Sequence, residues 1–234
     1  MSGLKSSMLT LVWLLPASRP KNRMLCALGH PVHPTATARS NLVRHVAVIS
    51  LGAHSRIARW NLIRNLRLLE IAAHATVGRL NVISAHPVFA RLYPDGASLT
   101  VAEHAYVTSR HHLDCSGSIT VGAFASIAGH SSSVLTHSID LRKDVQSAYP
   151  VVIGERSFVG AGCTILGGAE LPPRSVLGAG SVLTRSGSPR EPGLWAGAPA
   201  TNRGPVDGRW FGRLKTGTNR VFIPATGETI DEAF

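Results

Sequence analysis

The chain of 234 residues is short of aromatic rings, with six Phe, four Trp and three Tyr. Its core must then be built from Val, Ile, Leu and Ala, which suits a narrow stack of rungs better than a wide globule. Cysteine is scarce as well. Cys26, Cys115 and Cys163 are odd in number, far apart and form no CxxC. That argues against a disulfide scaffold and fits a reducing compartment, so the expected location is cytoplasmic. Acidic residues number 13 against 24 Lys and Arg, a formal net charge of +11. A basic excess speaks about partners rather than fold. Nucleic acid is not an expected partner, because no recognition helix, zinc finger or Arg/aromatic RNA motif accompanies the scattered arginines. An anionic membrane surface or a phosphorylated small molecule fits better.

Motifs that carry chemistry are missing too. There is no GxGxxG after a strand and no GxxxxGK[ST], and no GxSxG elbow. Nothing of CxxC or HExxH type points to zinc, and no metal is expected. The apolar run at residues 8–15 is far short of the ~20 residues that span a bilayer, and Pro16 stops it. It reads as a short helix. With Lys5 before it and RPKNR at 19–23 after it, the helix would lie on a membrane near lipid phosphates or on a neighbouring subunit. Equally, it would cap the open end of the fold. A second helical turn follows at 24–28, ended by Gly29. His30 and His33 sit between prolines, which suits a rigid linker better than a metal pair.

What is present is a beat of six. Aliphatic residues recur at Ile153, Val159, Ile165, Leu171, Leu177 and Leu183, with small residues following at Gly154, Gly160 and Gly178. Neither a helix nor an ordinary strand has this period. A hexapeptide repeat that builds a parallel β-helix does. Upstream the beat runs through Leu51, Ile57 and Ile63. It then resumes in a new phase through Ile71, Val77, Ile83, Phe89, Val101, Val107, Leu113 and Ile119, failing at Asp95. Two-residue slips fall at 69–71, 119–121 and 151–153. The pattern predicts some seven coils of eighteen residues from about Leu42 to Thr184, with a bulged corner at 93–97. Asn61, Asn65 and Asn81 fall at corners, where Asn tolerates a left-handed backbone or stacks along a column. The expected organisation is an N-terminal helical segment at 1–34, a β-helix at 35–203 and an irregular tail at 204–234. A polar loop at 185–192 and LWAGAPA at 194–200, extended by Pro199, close the β-helix. GRWFG at 208–212 would anchor the tail, and Val221 to Ile223 reads as a short strand.

Two places could bear chemistry. HHLDC at 111–115 collects ligand-type residues, but on a six-residue coil His111 and Cys115 point to different faces, so these residues line an acceptor groove or sit at the surface. His137 stands where the beat breaks, in a slot that elsewhere takes Ser, Ala or Cys. An excursion at 139–150 follows, carrying Asp140, Arg142, Lys143, Asp144 and Gln146. A rigid scaffold that extrudes one polar loop beside a histidine is a common way to build a site, and an imidazole can take a proton from a hydroxyl or amine. The other reading is a histidine packed at a loop base.

The beat, THSID at 136–140, Gln146 in the loop, PVVIG at 150–154, FVGAG at 158–162, LGAGSV at 177–182 and AGAPA at 196–200 together resemble the left-handed β-helix O-/N-acyltransferases. That family includes galactoside, maltose, serine and antibiotic acetyltransferases and transferases of surface-polysaccharide gene clusters. The resemblance covers residues 119–203; upstream only the periodicity matches. It implies an all-β, left-handed parallel β-helix and a homotrimer with active sites between subunits. Acetyl-coenzyme A, or another acyl-coenzyme A, would be the donor, lying along Gly160, Ala161, Gly162, Ala179 and Gly180, with Arg203 at its phosphates. His137 matches the catalytic general base, and the loop, with Asp140 and Gln146, would complete the pocket for a sugar or lipid-linked glycan. Departures are Phe158 where Trp is usual and GGAELPP at 167–173 in place of a regular coil. Two other functions stay open on the same scaffold. One is a non-catalytic assembly or binding protein, against which the histidine-bearing loop argues. The other is a γ-carbonic-anhydrase-like zinc enzyme, for which His104, His111, His112, His130 and His137 do not obviously converge.

Overall fold

The computed structural model describes residues 3–185 and 191–232, without the side chains of residues 3–5. The expectations placed on Lys5 and on most of the 185–192 loop lie outside the described residues. Three sheets, parallel except for one antiparallel pair at the end of the first, form the sides of a prism. Their first strands are Thr37–Ala38, Leu42–Arg44 and Val48–Leu51, and the sheets have nine, seven and six strands among the described residues. Each strand is two to four residues long because a corner comes next. The second sheet shows the logic. Val43, Ile63, Ile83, Leu113, Val134, Ile165 and Leu183 stack in register. All seven are fully buried. Each such side chain contributes roughly 1.5–3 kcal/mol of burial, and a narrow prism has room for little else per strand.

Seven coils are present, but most are longer than the expected eighteen residues. Val43 pairs with Ile63 and Ile63 with Ile83, steps of twenty. The two extra residues are a regular property of one side. In the third sheet Ile49 with Leu51, Leu69 with Ile71, Leu99 with Val101, Ile119 with Val121 and Val151 with Ile153 all point inward. The slips at 69–71, 119–121 and 151–153 are three members of this set. Phe89 does not occupy a beat position on the coil. Residues 85–97 leave the coil as an insertion with a short helix, Pro87–Leu92, rather than a bulged corner.

Corners are built by left-handed residues that are mostly not glycine. His54, His74, His104, Phe124, Arg156 and Arg174 all have φ between 55° and 59°. The strain of roughly 1–2 kcal/mol each is offset because this conformation turns the amide towards the coil below. His74 donates to Ala53 O, His104 to Ala73 O and Phe124 to Glu103 O at 2.9–3.1 Å. Coils repeat every ~4.8 Å, so the side chains stack as well, with His54–His74, His74–His104 and His104–Phe124 centroids 4.7–5.1 Å apart. Asn65 has this conformation; Asn61 and Asn81 follow the left-handed Trp60 and Leu80 instead. With Asn41 these two asparagines form a buried ladder. Asn41 Oδ1 accepts from Asn61 N, Asn61 Oδ1 from Asn81 N and Asn81 Oδ1 from His111 N, each at 2.8 Å. Asn61→Ala is expected to cost about 1–3 kcal/mol in urea denaturation, since it strands the buried Asn81 amide.

The N-terminal segment is a cap. Helix α1 (Gly3–Leu14) buries Leu9, Val12 and Trp13 against the first coil, and Thr10 Oγ1 donates to Val43 O at 2.8 Å. Helix α2 (Arg19–Ala27) begins earlier than expected. Lys21 is not near lipid phosphates: it is 1% exposed and donates to Trp13 O, Leu15 O and Arg39 O, tying down the carbonyl end of α1. Burial pushes its pKa down to about 8. His30 is buried, and its Nδ1 accepts from Ile49 N at 2.8 Å. The tail runs back along the histidine corner, anchored as expected by Arg209–Gly212 with Phe211 buried. Arg156 donates to Phe211 O and Arg213 O, and Val221–Ile223 pairs with Glu228–Ile230. Pro199 does not hold an extended path, because Leu194–Gly197 turns back antiparallel onto Ala200–Asn202. Among the described residues no helix is long and apolar enough to cross a membrane.

Candidate active site

Two excursions leave the prism at the same corner, between the second and third sheets. One is the insertion with helix α3 (Pro87–Leu92). The other is a hairpin of His137–Asp140 with Val145–Ala148. Between them lies Asp114, at the end of the strand His112–Asp114. Strand alternation points Asp114 outward, yet it is 6% exposed, because both excursions fold over it.

Asp114 is held from both sides. Its Oδ1 accepts from Ser116 Oγ at 2.6 Å and Ser116 N at 3.2 Å. Its Oδ2 accepts from His137 N at 3.0 Å and Thr136 Oγ1 at 3.3 Å, and lies 2.6 Å from His137 Nδ1. Burial alone would raise the carboxyl pKa, but the hydrogen bonds from Ser116 and His137 outweigh it and hold it below the ordinary value. Asp114 is thus ionised at neutral pH, and its Oδ2 accepts a hydrogen bond from the Nδ1–H of the imidazole. The Nε2 lone pair of His137 is left open, and its side chain is 35% exposed. This geometry orients a base. His86 and Phe89 flank the ring, with centroids 6.1 and 5.8 Å away, and His86 N donates to Ser116 Oγ.

HHLDC at 111–115 therefore neither lines a groove nor sits at the surface as a unit. His111 is 2% exposed and continues the asparagine ladder, its Nδ1 accepting from Ser132 N. Burial and His130 lower its pKa to about 4, so it is neutral. Cys115 is buried, and burial pushes its thiol pKa well up. Only His112 is exposed, while Asp114 belongs to the site.

The residues expected to meet a donor also share a place. Gly160, Ala161 and Gly162 form the corner between the first and second sheets, and Ala179 and Gly180 form the next corner up, where Gly180 N donates to Ala161 O. In this column the left-handed position holds Trp60, Leu80, Arg110 and Ser131, then Gly162 and Gly180. A Cβ added at either glycine would meet nothing within 4 Å, so the corner changes from studded to smooth. Arg203 is exposed at the top of the column, its guanidinium 3.4 Å from where a Cβ on Gly197 would sit. GGAELPP at 167–173 keeps its rung, with Ile153 paired to Leu171. Gly167 is needed because a Cβ there would lie 2.4 Å from Thr136 O, at the hairpin base. Gln146 pairs with Ile139 and shares the hairpin face of His137. Asp140 is on the other face and caps the turn, accepting from Arg142 N and Lys143 N. Among the described residues no group of three or more His, Cys, Asp or Glu could hold a metal ion.

The sequence profile described as hexapeptide repeat of succinyl-transferase matches residues 150–185. No curated protein matches by sequence. Among solved structures, the polysialic acid O-acetyltransferase OatWY superposes with a TM-score of 0.56 at 22% identity, over 77% of this chain and 87% of that one. A maltose O-acetyltransferase from Clostridium difficile 630 gives 0.48 at 16% identity, over 59% and 70%. A hexapeptide-repeat acetyltransferase from Vibrio cholerae gives 0.38 at 24% identity; the match spans 44% of this chain and only 60% of that protein's length. At these identities the likeness to OatWY shows the fold, a left-handed parallel β-helix of hexapeptide repeats.

Proposed function

We propose that the protein is an acyltransferase that moves an acetyl or other acyl group from acyl-coenzyme A to a hydroxyl or amine of a sugar-containing acceptor. The observation that carries this is the Asp114–His137 pair at 2.6 Å, standing at the one corner where both excursions converge. In this reading Nε2 of His137 accepts the acceptor's proton as the freed oxygen or nitrogen attacks the thioester carbonyl. The C–S bond then breaks, and the thiolate leaves with that proton. Asp114 stabilises the imidazolium formed in between. The smooth column at Gly160–Gly162 and Ala179–Gly180 is where an extended thiol carrier would lie, with Arg203 at its phosphates. Gln146, on the hairpin face of His137, is the proposed acceptor contact, while Asp140 serves the pocket by fixing the hairpin turn. The hairpin also carries Ile139, Leu141 and Val145, which are 59%, 89% and 47% exposed. An arm with an apolar tip suits docking against the next prism of a homotrimer, closing each site between subunits.

The test is thiol release from acetyl-, succinyl- and longer acyl-coenzyme A by the purified protein, with and without sugar and lipid-linked sugar acceptors. Acceptor-dependent release of free coenzyme A is expected. Absence of both release and calorimetric binding for all donors would sink the proposal and favour a non-catalytic scaffold.

A further inference from the structure

The charge of the chain is unevenly placed. Twelve of the 24 Lys and Arg but one of the 13 Asp and Glu fall in residues 1–94, so the whole net charge of +11 lies in that part. Among the described residues none of these cations joins a salt bridge. Such a field is kept at a cost in self-repulsion and draws anions.

A groove of about 1230 Å³ lies inside this region, on the same corner as His137. Helix α1 forms one wall and α3 the other. The buried Val46 and Leu66 make its floor, and the exposed Leu11 and Leu42 make its lip. Arg44 and Arg67 reach into it, and among the described residues no acidic side chain lines it. Arg67 Nε donates only a long bond to Gly96 O, 3.4 Å, and the guanidinium of Arg44 has no partner among the described residues. The volume exceeds the ~300–1,000 Å³ of ordinary small-molecule pockets, which suits an elongated ligand. Helix α3 is shared by groove and site. Pro87 and Ala90 face the groove, while Phe89 faces His137. Arg67 N bonds to Ala97 O and Ala97 N to Ser116 O, so two coil steps, about 10 Å along the axis, separate Arg67 from the coil that holds Asp114.

We propose that this groove binds an anionic amphiphile, the phosphate or pyrophosphate ester of a long-chain alcohol. Arg44 and Arg67 hold the phosphate, for which paired guanidinium forks are the fitting donors, and the chain runs over Leu66, Leu42 and Leu11. The ligand's role rests on the acyl-transfer reading: it would be the lipid carrier of the acceptor, with the sugar spanning α3 to bring its hydroxyl to His137. Binding itself does not depend on that reading.

The experiment is calorimetry with dodecyl phosphate below its critical micelle concentration, on wild-type protein, Arg44→Ala/Arg67→Ala, Leu11→Asp and His137→Ala. Wild type and His137→Ala are expected to bind alike. The double-arginine and Leu11 variants should each bind at least about 10-fold more weakly, as should inorganic phosphate and dodecyl maltoside on wild type, since each lacks one part of the recognition. Equal binding of dodecyl maltoside, or unchanged binding by Arg44→Ala/Arg67→Ala, overturns the proposal. So does binding to phosphatidylglycerol vesicles with none to dodecyl phosphate, which would put a membrane surface in place of a groove. If His137→Ala binds normally and no variant or wild type transfers acyl groups, the acyl-transfer reading fails and the groove stands.

Discussion

His137→Ala is expected to slow acyl transfer by ~10²–10⁴-fold, the usual cost of removing a general base, while leaving thermal unfolding nearly unchanged. The hairpin is held by backbone pairing from His137–Ala148 to Asp140–Val145, and Asp114 keeps Ser116, Thr136 and the His137 amide as donors. Asp114→Asn is the more discriminating variant. The carboxylate accepts on both oxygens: from Ser116 on one side, and from Thr136 and His137 on the other. An amide can accept on one side only. If its NH₂ faces His137, the ring must present a bare Nδ1, and Nε2 then carries the proton and cannot act as a base. If its NH₂ faces Ser116, the hydroxyl there can turn to accept but the Ser116 N–H loses its acceptor, and the neutral amide oxygen left facing His137 no longer stabilises the imidazolium. Either way kcat should fall by ~10²-fold or more with little change in the KM for acyl-coenzyme A, and the two substitutions together should cost little more than His137→Ala alone, because the pair acts as one unit. A merely structural Asp114 would instead lower stability and leave residual kcat intact. The pH dependence of stability provides a second readout. The folded pKa of Asp114 lies below its ordinary value, so its contribution is fully present above that ordinary value and is lost as pH falls through the folded one. The acid limb of the stability curve should therefore be shallower in Asp114→Asn.

Why His137 was legible in the sequence and Asp114 was not follows from how each is made. A period of six is local: it survives in the identities of Ile153, Val159, Ile165, Leu171, Leu177 and Leu183 without knowledge of pairing. His137 stood out because it interrupts that beat. Asp114 becomes a partner only through register. Asp114 pairs with Leu135 and Ser84 on its neighbouring coils, and just upstream Phe89 falls by chance on the beat. That coincidence hid the insertion at 85–97 and with it the wall of both site and groove. His111 misled in the opposite sense. Its neighbours suggested ligand chemistry, but its place on the column puts it in a ladder begun by Asn41, Asn61 and Asn81, where an imidazole nitrogen replaces a carboxamide oxygen as acceptor. The ladder itself could be anticipated from the asparagines, whereas the left-handed histidines could not, since nothing in their identity distinguishes a corner residue from a ligand. In the sequence Lys21 reads as a charge for lipid phosphates, because the three backbone carbonyls that bind it leave no mark there.

Trp13→Ala is expected to be the most costly single substitution for stability, about 3–5 kcal/mol. Trp13 is fully buried at the open end of the prism. Its carbonyl accepts from Asn41 N and from Lys21 Nζ, each at 3.0 Å, and Lys21 Nζ lies 5.0 Å from its ring centroid. The carbonyl thus ties α1 to α2 and the first coil, while the buried ring fills the end of the prism and packs under the Lys21 ammonium. Among the described residues its Nε1 has no hydrogen-bond partner, so the ring works by volume, and Trp13→Phe should cost clearly less than Trp13→Ala. The loss should also be local in origin. In a stack where each coil touches only its neighbours, an end cap governs fraying from that end. Amide exchange in the alanine variant should speed up most at Leu42 and Asn61, and least beyond Cys163. Acyl transfer in the still-folded fraction should change little, because several coils separate Trp13 from Asp114. The groove is a different matter: α1 is its wall, so dodecyl phosphate binding should weaken in parallel with the frayed fraction. Exchange that accelerates equally in every coil would mean that the prism unfolds as one cooperative block and that Trp13 is an ordinary core residue rather than a cap.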